Sequence, residues 1–421
     1  MRVSVIIPAW NLWQMTAACL RSLATHSAGQ DLEVLVVDNG STDATAGELE
    51  PLGQSLWGAG FKALRLPENL GFAKACNLGA RAAAGELLFF LNNDTTCTAG
   101  WLPPLRAAFE NARLGAAGPL LLYPDGTAQH CGISFSPFCK VSHIYEHFPG
   151  NHPVLRKKRP LQAITGAALM LRRQVFEACG GFFEGYRNGC EDVDLCFAVR
   201  RQGLRLAVIG ESVLYHHTSQ TPGRFEHDLQ NGKLFYQRWR QDVTADMHRL
   251  ARMDGYELHI GLMLSCRLGL PEVRERELNA AFAGAAFDAA AYAAQLEREP
   301  LWRGGWLRLM DQLEAQGREP LYAGDLKPCG RAYAPFPFFL RRMCRAACCA
   351  CCGKRVCRNR WWNSCAAWKR AGTPGKTARR VAPLFRRPGA RPMPTVTRSW
   401  PICLTPGCWI TAKSGIRAFQ I

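Results

Sequence analysis

The sequence predicts an α/β protein built on a parallel, doubly wound sheet. Short apolar runs alternate with helical patterns through the first 100 residues. The runs are continuously apolar, as strands buried on both faces are. Two of them end in polar turns, Asp38-Asn39-Gly40-Ser41-Thr42-Asp43 and Asn92-Asn93-Asp94. Strands alternating with helices in this way form parallel crossover units.

Val3 to Ile7 is the first such run, closed by Pro8. Asn11 is placed to cap a helix with apolar positions Leu12, Thr16, Cys19, Leu20 and Leu23. Leu32 to Val37 is the second strand and Phe61 to Leu66 a weaker third. Phe72 to Ala84 has a helical pattern stopped by Gly85, and Leu87 to Leu91 is a fourth strand. Residues 115–225 are less regular. They contain a strand within Leu161–Arg172, a helix over Glu191–Arg201 ended by Gly203, and a strand over Leu206–Leu214 that runs into His216-His217. Helical patterns then cover Glu226–Arg252, Pro271–Ala283, Asp288–Glu299 and Trp302–Gln316. Within them Leu234, Phe235 and Trp239 are expected to pack back on the preceding domain.

A length of 421 residues accommodates two or three domains. No run of about 18 apolar residues marks a membrane span. The N-terminus lacks the apolar stretch and cleavage site of a signal peptide, so a cytoplasmic location is expected, with peripheral attachment at the inner face of the cell membrane as an addition to it. The net charge of +18 is concentrated in the tail: from Arg331 onward there are 19 Lys and Arg and no Asp or Glu, which leaves the rest near neutral. Ten of the 19 cysteines also lie from Cys329 onward. The other nine are scattered beside apolar residues, as buried free thiols in a reducing compartment are. The organisation read from these patterns is a domain over 1–225, a helical accessory region over 226–327 and a Cys/Arg-rich basic tail over 328–421. The tail has the composition of a GC-rich gene read out of frame, and it is expected to be disordered or frameshifted. Its crowded Cys-x-x-Cys spacings lack a histidine to complete a familiar zinc finger. A basic tail docked on an anionic membrane or acidic polymer is the alternative, and nucleic acid is not expected as a partner.

The chemistry-bearing residues cluster where an open α/β sheet binds ligands, beyond the carboxyl ends of its strands. Asp38 and Asp94 both stand at such ends. One carboxylate there can accept from a base or a sugar hydroxyl, and another can bind a divalent cation that holds a diphosphate. Turn and cap duty is the structural alternative for either acid. Glu191, Asp192 and Asp194 fall in the first turn of a helix, where the dipole alone favours acids and keeps them ionised. An ionised Asp is what a base that takes a proton from a hydroxyl requires. His216 and His217 follow a strand, where an imidazole can complete a metal site, touch a phosphate or be structural.

These segments resemble family 2 glycosyltransferases. Val3–Asn11, Val36–Asp43, Asn69–Asn77 and Phe90–Thr95 look like the four N-terminal motifs of that family. Thr165-Gly166-Ala167 and Glu191–Leu195 resemble its later motifs, and His216-His217 the histidine near the end of its catalytic domain. The match covers roughly residues 1–225. It implies the GT-A fold, a Rossmann-like domain with an acceptor half appended. It implies a UDP- or dTDP-sugar donor, Mn²⁺ or Mg²⁺, and inversion at the anomeric carbon. A saccharide or lipid-linked acceptor in cell-surface polysaccharide or lipopolysaccharide synthesis is the expectation. Carried over by motif, Pro8, Ala9, Asn11, Asp38, Asn77, Asn93 and Gly166 would form the nucleotide-sugar site. Asp94, with His216 or His217, would hold the metal. Asp192 would be the general base, with Glu191 beside it. Asn92 replaces the first acid of the family's Asp-x-Asp motif, as in its rhamnosyltransferase-like branch. A nucleotidyltransferase and a non-catalytic nucleotide-sugar-binding protein are the rival readings. The first usually carries a basic Gly-rich loop after strand one, where this chain has Ala9-Trp10-Asn11.

Overall fold

A computed structural model describes residues 1–217, 226–261, 264–284 and 287–315. The tail over 328–421 lies outside the described residues. The strands are β1 (Val3–Ala9), β2 (Leu32–Asp38), β3 (Phe61–Arg65), β4 (Leu87–Leu91), β5 (Thr95–Cys97), β6 (Leu114–Leu122), β7 (Ala128–His130), β8 (Ile133–Phe135), β9 (Val141–His143), β10 (Ala168–Arg172), β11 (Arg205–His216), β12 (Glu257–Ile260) and β13 (Cys266–Gly269). The helices are α1 (Trp13–His26), α2 (Thr45–Trp57), α3 (Phe72–Ala82), α4 (Leu102–Ala107), α5 (Arg173–Ala178), α6 (Glu191–Arg201), α7 (Asp228–Trp239), α8 (Met247–Asp254), α9 (Glu272–Ala281), α10 (Ala289–Arg298) and α11 (Arg303–Ala315).

The main sheet has the order β3-β2-β1-β4-β10-β6-β11-β5, with β7 paired to β6. The half β3-β2-β1-β4 is parallel, as expected for a doubly wound sheet. The other half is mixed: β10 runs antiparallel to β4 and β6, and β5 antiparallel to β11. The chain steps outward from β1 to β3, then returns to pair β4 with the other edge of β1. That reversal opens a crevice beyond the carboxyl ends of β1 and β4, where open α/β sheets bind ligands. All five residues of β4, Leu-Leu-Phe-Phe-Leu, are fully buried. The strand period of two explains the unbroken apolar run: Leu88 and Phe90 enter one core, and Leu87, Phe89 and Leu91 the other.

Several local expectations are corrected. Asn11 does not cap α1. Asn11 and Leu12 both take left-handed conformations (φ 53° and 56°), which turns the Asn11 side chain away from the helix. Asp43 caps instead, from the β2–α2 loop: its carboxylate accepts from Trp13 N at 2.9 Å and from Thr45 N at 3.0 Å, so one acid serves the starts of two helices. Asn11 Oδ1 accepts from Thr42 N at 2.8 Å and braces the same loop. Helix α2 was not legible, because Pro51 interrupts its pattern. The single helix expected over Glu226–Arg252 is two, α7 and α8. Between them Asp246 is wholly buried, accepting from Phe135 N at 2.8 Å and from Gln162 Nε2 at 2.6 Å. The region over 226–327 is also not purely helical, since β12 and β13 form an antiparallel hairpin. Phe235 and Trp239 of α7 pack against Phe197 of α6, with ring centroids 5.4 and 5.6 Å away. No helix among the described residues is long and apolar enough to cross a membrane.

Candidate active site

A cleft of about 440 Å³ opens at the reversal between β1 and β4. Pro8 and Ala9 line it from the end of β1, and Asn92, Asn93 and Asp94 from the end of β4. Thr165, Gly166 and Ala167 enter just before β10, Glu191 and Asp192 from the start of α6, and His216 from the end of β11. Five segments far apart in sequence thus converge on one side of the sheet.

The register of β11 decides which histidine faces the cleft. His216 pairs with Thr95 of β5, which brings its ring beside Asp94. Successive side chains leave a strand on opposite faces, so His217 points away; its Nε2 lies 3.1 Å from Thr96 Oγ1. The His217 backbone N–H donates to the Asp94 carbonyl at 2.9 Å and so closes the corner. Gln129 Nε2 donates to the His216 carbonyl at 3.1 Å, which turns Gln129 Oε1 toward His216 Nδ1 at 2.6 Å. An amide oxygen only accepts, so His216 Nδ1 carries the proton. His216 Nε2 then faces Asp94 Oδ1 at 3.0 Å. In neutral imidazole that nitrogen is a lone pair, 3.4 Å from Asn92 Nδ2 and aimed at a carboxylate, and among the described residues no other hydrogen bond reaches the buried Oδ1. A proton or a cation between them resolves the repulsion. Burial raises the Asp94 carboxyl, but a hydrogen bond from His216 Nε2 and the positive charge of the ring, once that nitrogen carries a proton, outweigh it and hold the carboxyl below the usual carboxylate range. A carboxylate and an imidazole are donors that suit Mn²⁺, and their separation suits two ligands of one ion. Among the described residues no cluster of three His, Cys, Asp or Glu surrounds the point, so diphosphate and water would have to complete a coordination shell.

Asp192 is held from two sides. Its Oδ2 accepts from Gly166 N at 2.7 Å and its Oδ1 from Val193 N at 2.8 Å. Each oxygen keeps a lone pair for the cleft. Gly166 is required here because a side chain on it would stand 2.8 Å from the Asp192 Cβ, closer than carbon atoms approach. Glu191, at the first position of α6, lines the same cleft and is almost fully buried. Asp194 does not reach it. Its carboxylate accepts from Tyr186 Oη at 2.8 Å, Arg238 Nε at 2.7 Å and Trp239 Nε1 at 2.5 Å. Asp194 therefore ties α6 to α7. Asp194→Asn should lower stability by about 2 kcal/mol, because the buried Trp239 and Tyr186 donors lose a charged acceptor while the Arg238 guanidinium is a third exposed and can turn to water. Urea denaturation measures this, and a loss under about 0.5 kcal/mol would remove the tie.

Asp38, Asn11 and Asn77 stand outside the cleft lining. Asp38 is 1% exposed, its oxygens taken by Ser41 N at 2.9 Å and Arg65 Nε at 3.1 Å. It shapes the loop that carries Asn39. Asn77 donates to the Phe182 carbonyl and accepts from Phe182 N, both at 2.9 Å, and so pins the segment before α6 to α3. Asn93 lines the cleft while donating to Thr16 Oγ1 at 2.9 Å. Sequence reasoning missed Asn39 and Asn69, which clasp each other at 2.9 Å at the β1–β2 end of the cleft. Asn39 lies within Val36–Asp43 and Asn69 opens Asn69–Asn77, so both motifs carried the signal. It also missed Tyr123, Gln129, His143 and Glu146, which come from a stretch with no periodic signal.

Residues 4–180 match the model of Glycosyl transferase family 2. Over these residues the chain is similar to that family. An O-antigen biosynthesis protein, RfbC of Myxococcus xanthus, is 31% identical over 225 residues, covering 52% of this chain and 17% of its own. An N-acetylglucosaminyl-diphospho-decaprenol L-rhamnosyltransferase of Mycobacterium tuberculosis is 29% identical over 226 residues, covering 48% of this chain and 71% of its own. Among solved structures, a mannosyltransferase of Pyrobaculum calidifontis superposes with a TM-score of 0.45 at 18% identity, over 76% of this chain and 88% of that one. The chain spans less than a third of the length of the first curated relatives it matches, 28% and 17%. The family 2 region ends before α6, so Glu191, Asp192 and His216 lie beyond the matched residues.

Proposed function

We propose that the protein is an inverting glycosyltransferase that moves a sugar from a UDP- or dTDP-sugar to an acceptor hydroxyl in cell-surface polysaccharide or lipopolysaccharide synthesis. The observation that carries this reading is one cleft holding both a braced carboxylate, Asp192, and a carboxylate–imidazole pair, Asp94 and His216. Pro8, Ala9, Asn39 and Asn69 would receive the nucleotide at the ends of β1 and the adjoining loops. A divalent ion bound at Asp94 and His216 would supply positive charge for the leaving diphosphate. Asp192 removes the proton of the acceptor hydroxyl as that oxygen attacks the anomeric carbon from the face opposite the diphosphate. One displacement inverts the centre. The match of residues 4–180 to the family model supports the reaction class. The relatives named for O-antigen biosynthesis and for a decaprenol-linked substrate support a surface polysaccharide and a lipid-linked acceptor, with peripheral membrane association during the reaction.

Thermal shift with UDP, dTDP and GDP, each with and without Mn²⁺, tests the donor class. A ligand at 100 times its Kd adds about 2.7 kcal/mol of stability. UDP or dTDP should raise Tm, and more so with Mn²⁺. A shift with GDP alone would overturn the pyrimidine assignment.

A further inference from the structure

Two histidines beside the cleft have no part in the chemistry above. His130, at the end of β7, is 1% exposed, whereas His143, at the end of β9, is open to the cleft. Their Nδ1 atoms are 2.8 Å apart. Thr165 N donates to His130 Nε2 at 3.3 Å. A nitrogen that accepts carries no proton, and burial together with His143 keeps His130 far below the ordinary imidazole range, hence neutral. Its one proton is therefore on Nδ1, and it donates to His143 Nδ1. His143 must in turn carry its own proton on Nε2. Among the described residues His143 makes no other hydrogen bond, so that N–H is unspent. Thr165 sets this relay while its neighbour Gly166 holds Asp192, so one short segment orients both groups.

The surroundings identify what the N–H meets. His143 and Glu146 line the cleft together with Asp192, and both also line a second cavity of about 180 Å³ floored by Met247, Leu250 and Leu268. They stand at the boundary of the two cavities. Glu146 and Asp192 are the carboxylates whose charge His143 senses most. Two carboxylates repel a diphosphate, whereas a carboxylate and an N–H donor together bind a sugar hydroxyl, which both donates and accepts.

We infer that His143 presents a fixed Nε2–H, with Glu146 as its accepting companion, to a second hydroxyl of the acceptor, so that the acceptor is a saccharide held by a hydroxyl other than the one Asp192 deprotonates. This rests on the assignment of Asp192 as base. His130 is a positioning residue that acts through His143.

Long-range ¹H–¹⁵N NMR of the full chain labelled at histidine reads the tautomers directly, with His143→Gln identifying the resonances. The expected result is Nδ1–H at His130 and Nε2–H at His143; an Nδ1–H tautomer at His143 overturns the relay. With p-nitrophenyl pyranosides as acceptors, His143→Ala should raise acceptor KM about tenfold, as loss of a hydrogen bond to a polar partner does. Donor KM and donor hydrolysis should not change. His143→Gln, whose amide N–H reaches near the Nε2 position, should stay within about threefold. His130→Phe should raise acceptor KM similarly and add nothing to His143→Ala. One monodeoxy acceptor should abolish the His143→Ala penalty. A penalty that survives every deoxygenation, or an equal loss of donor affinity, contradicts the inference. If Asp192→Asn kept its turnover, the base assignment would fall while the tautomers stood, so the two failures are distinguishable.

Discussion

Asp192→Asn is expected to abolish sugar transfer, lowering kcat by about 10² to 10⁴-fold, the usual contribution of a general base. Asn keeps the shape of the side chain, and its amide oxygen can still accept from Gly166 N, now at 2.7 Å, so that only the bond from Val193 N is given up. The start of α6 should therefore keep its place, and donor affinity should fall by less than about threefold, well under the tenfold that 1.4 kcal/mol represents. Steady-state kinetics together with calorimetric titration of UDP separate the two effects. Near-normal turnover would remove Asp192 from the role. A parallel loss of UDP affinity would show that it shapes the donor pocket instead.

Asp94→Ala should be the second large loss. Removing one charge-stabilising group from an active site costs about 10² to 10³ in kcat. Here the loss should appear together with weakened donor binding and with a vanished response to Mn²⁺. The backbone of Asp94 still accepts from His217 N, so the β5–β11 corner survives the substitution. His216→Ala should reproduce the weakened Mn²⁺ response, because the two side chains face one point at 3.0 Å. Unchanged donor affinity and an intact Mn²⁺ response in Asp94→Ala would refute the pairing.

The parallel half of the fold was legible because its strands are buried on both faces and so read as unbroken apolar runs. In the mixed half only β10 and β11 were. β5, β7, β8 and β9 have three residues each, too short to show a period. That gap hid Gln129, His130, His143 and Glu146, whose roles depend on pairings between strands rather than on neighbours in sequence. The acids illustrate the same limit. Asp192 and Asp194 share a helix turn and are indistinguishable by composition, yet packing sends one to the cleft and the other to Arg238 and Trp239. Asp38 shows the converse. Its place at a strand end was read correctly, and its side chain is occupied by Ser41 and Arg65 one strand away from the reversal where the cleft opens. Between His216 and His217, only the pairing of β11 with β5 could choose.

Release of nucleoside diphosphate from labelled UDP- and dTDP-sugars tests the central claim most directly. In the presence of Mn²⁺ the full chain should release UDP or dTDP from one of them, faster when a saccharide acceptor is added, and Asp192→Asn should suppress the acceptor-dependent part. Release of pyrophosphate would indicate nucleotidyl transfer. A folded protein that binds a nucleotide sugar and releases no nucleoside diphosphate, with or without acceptor, would contradict the account.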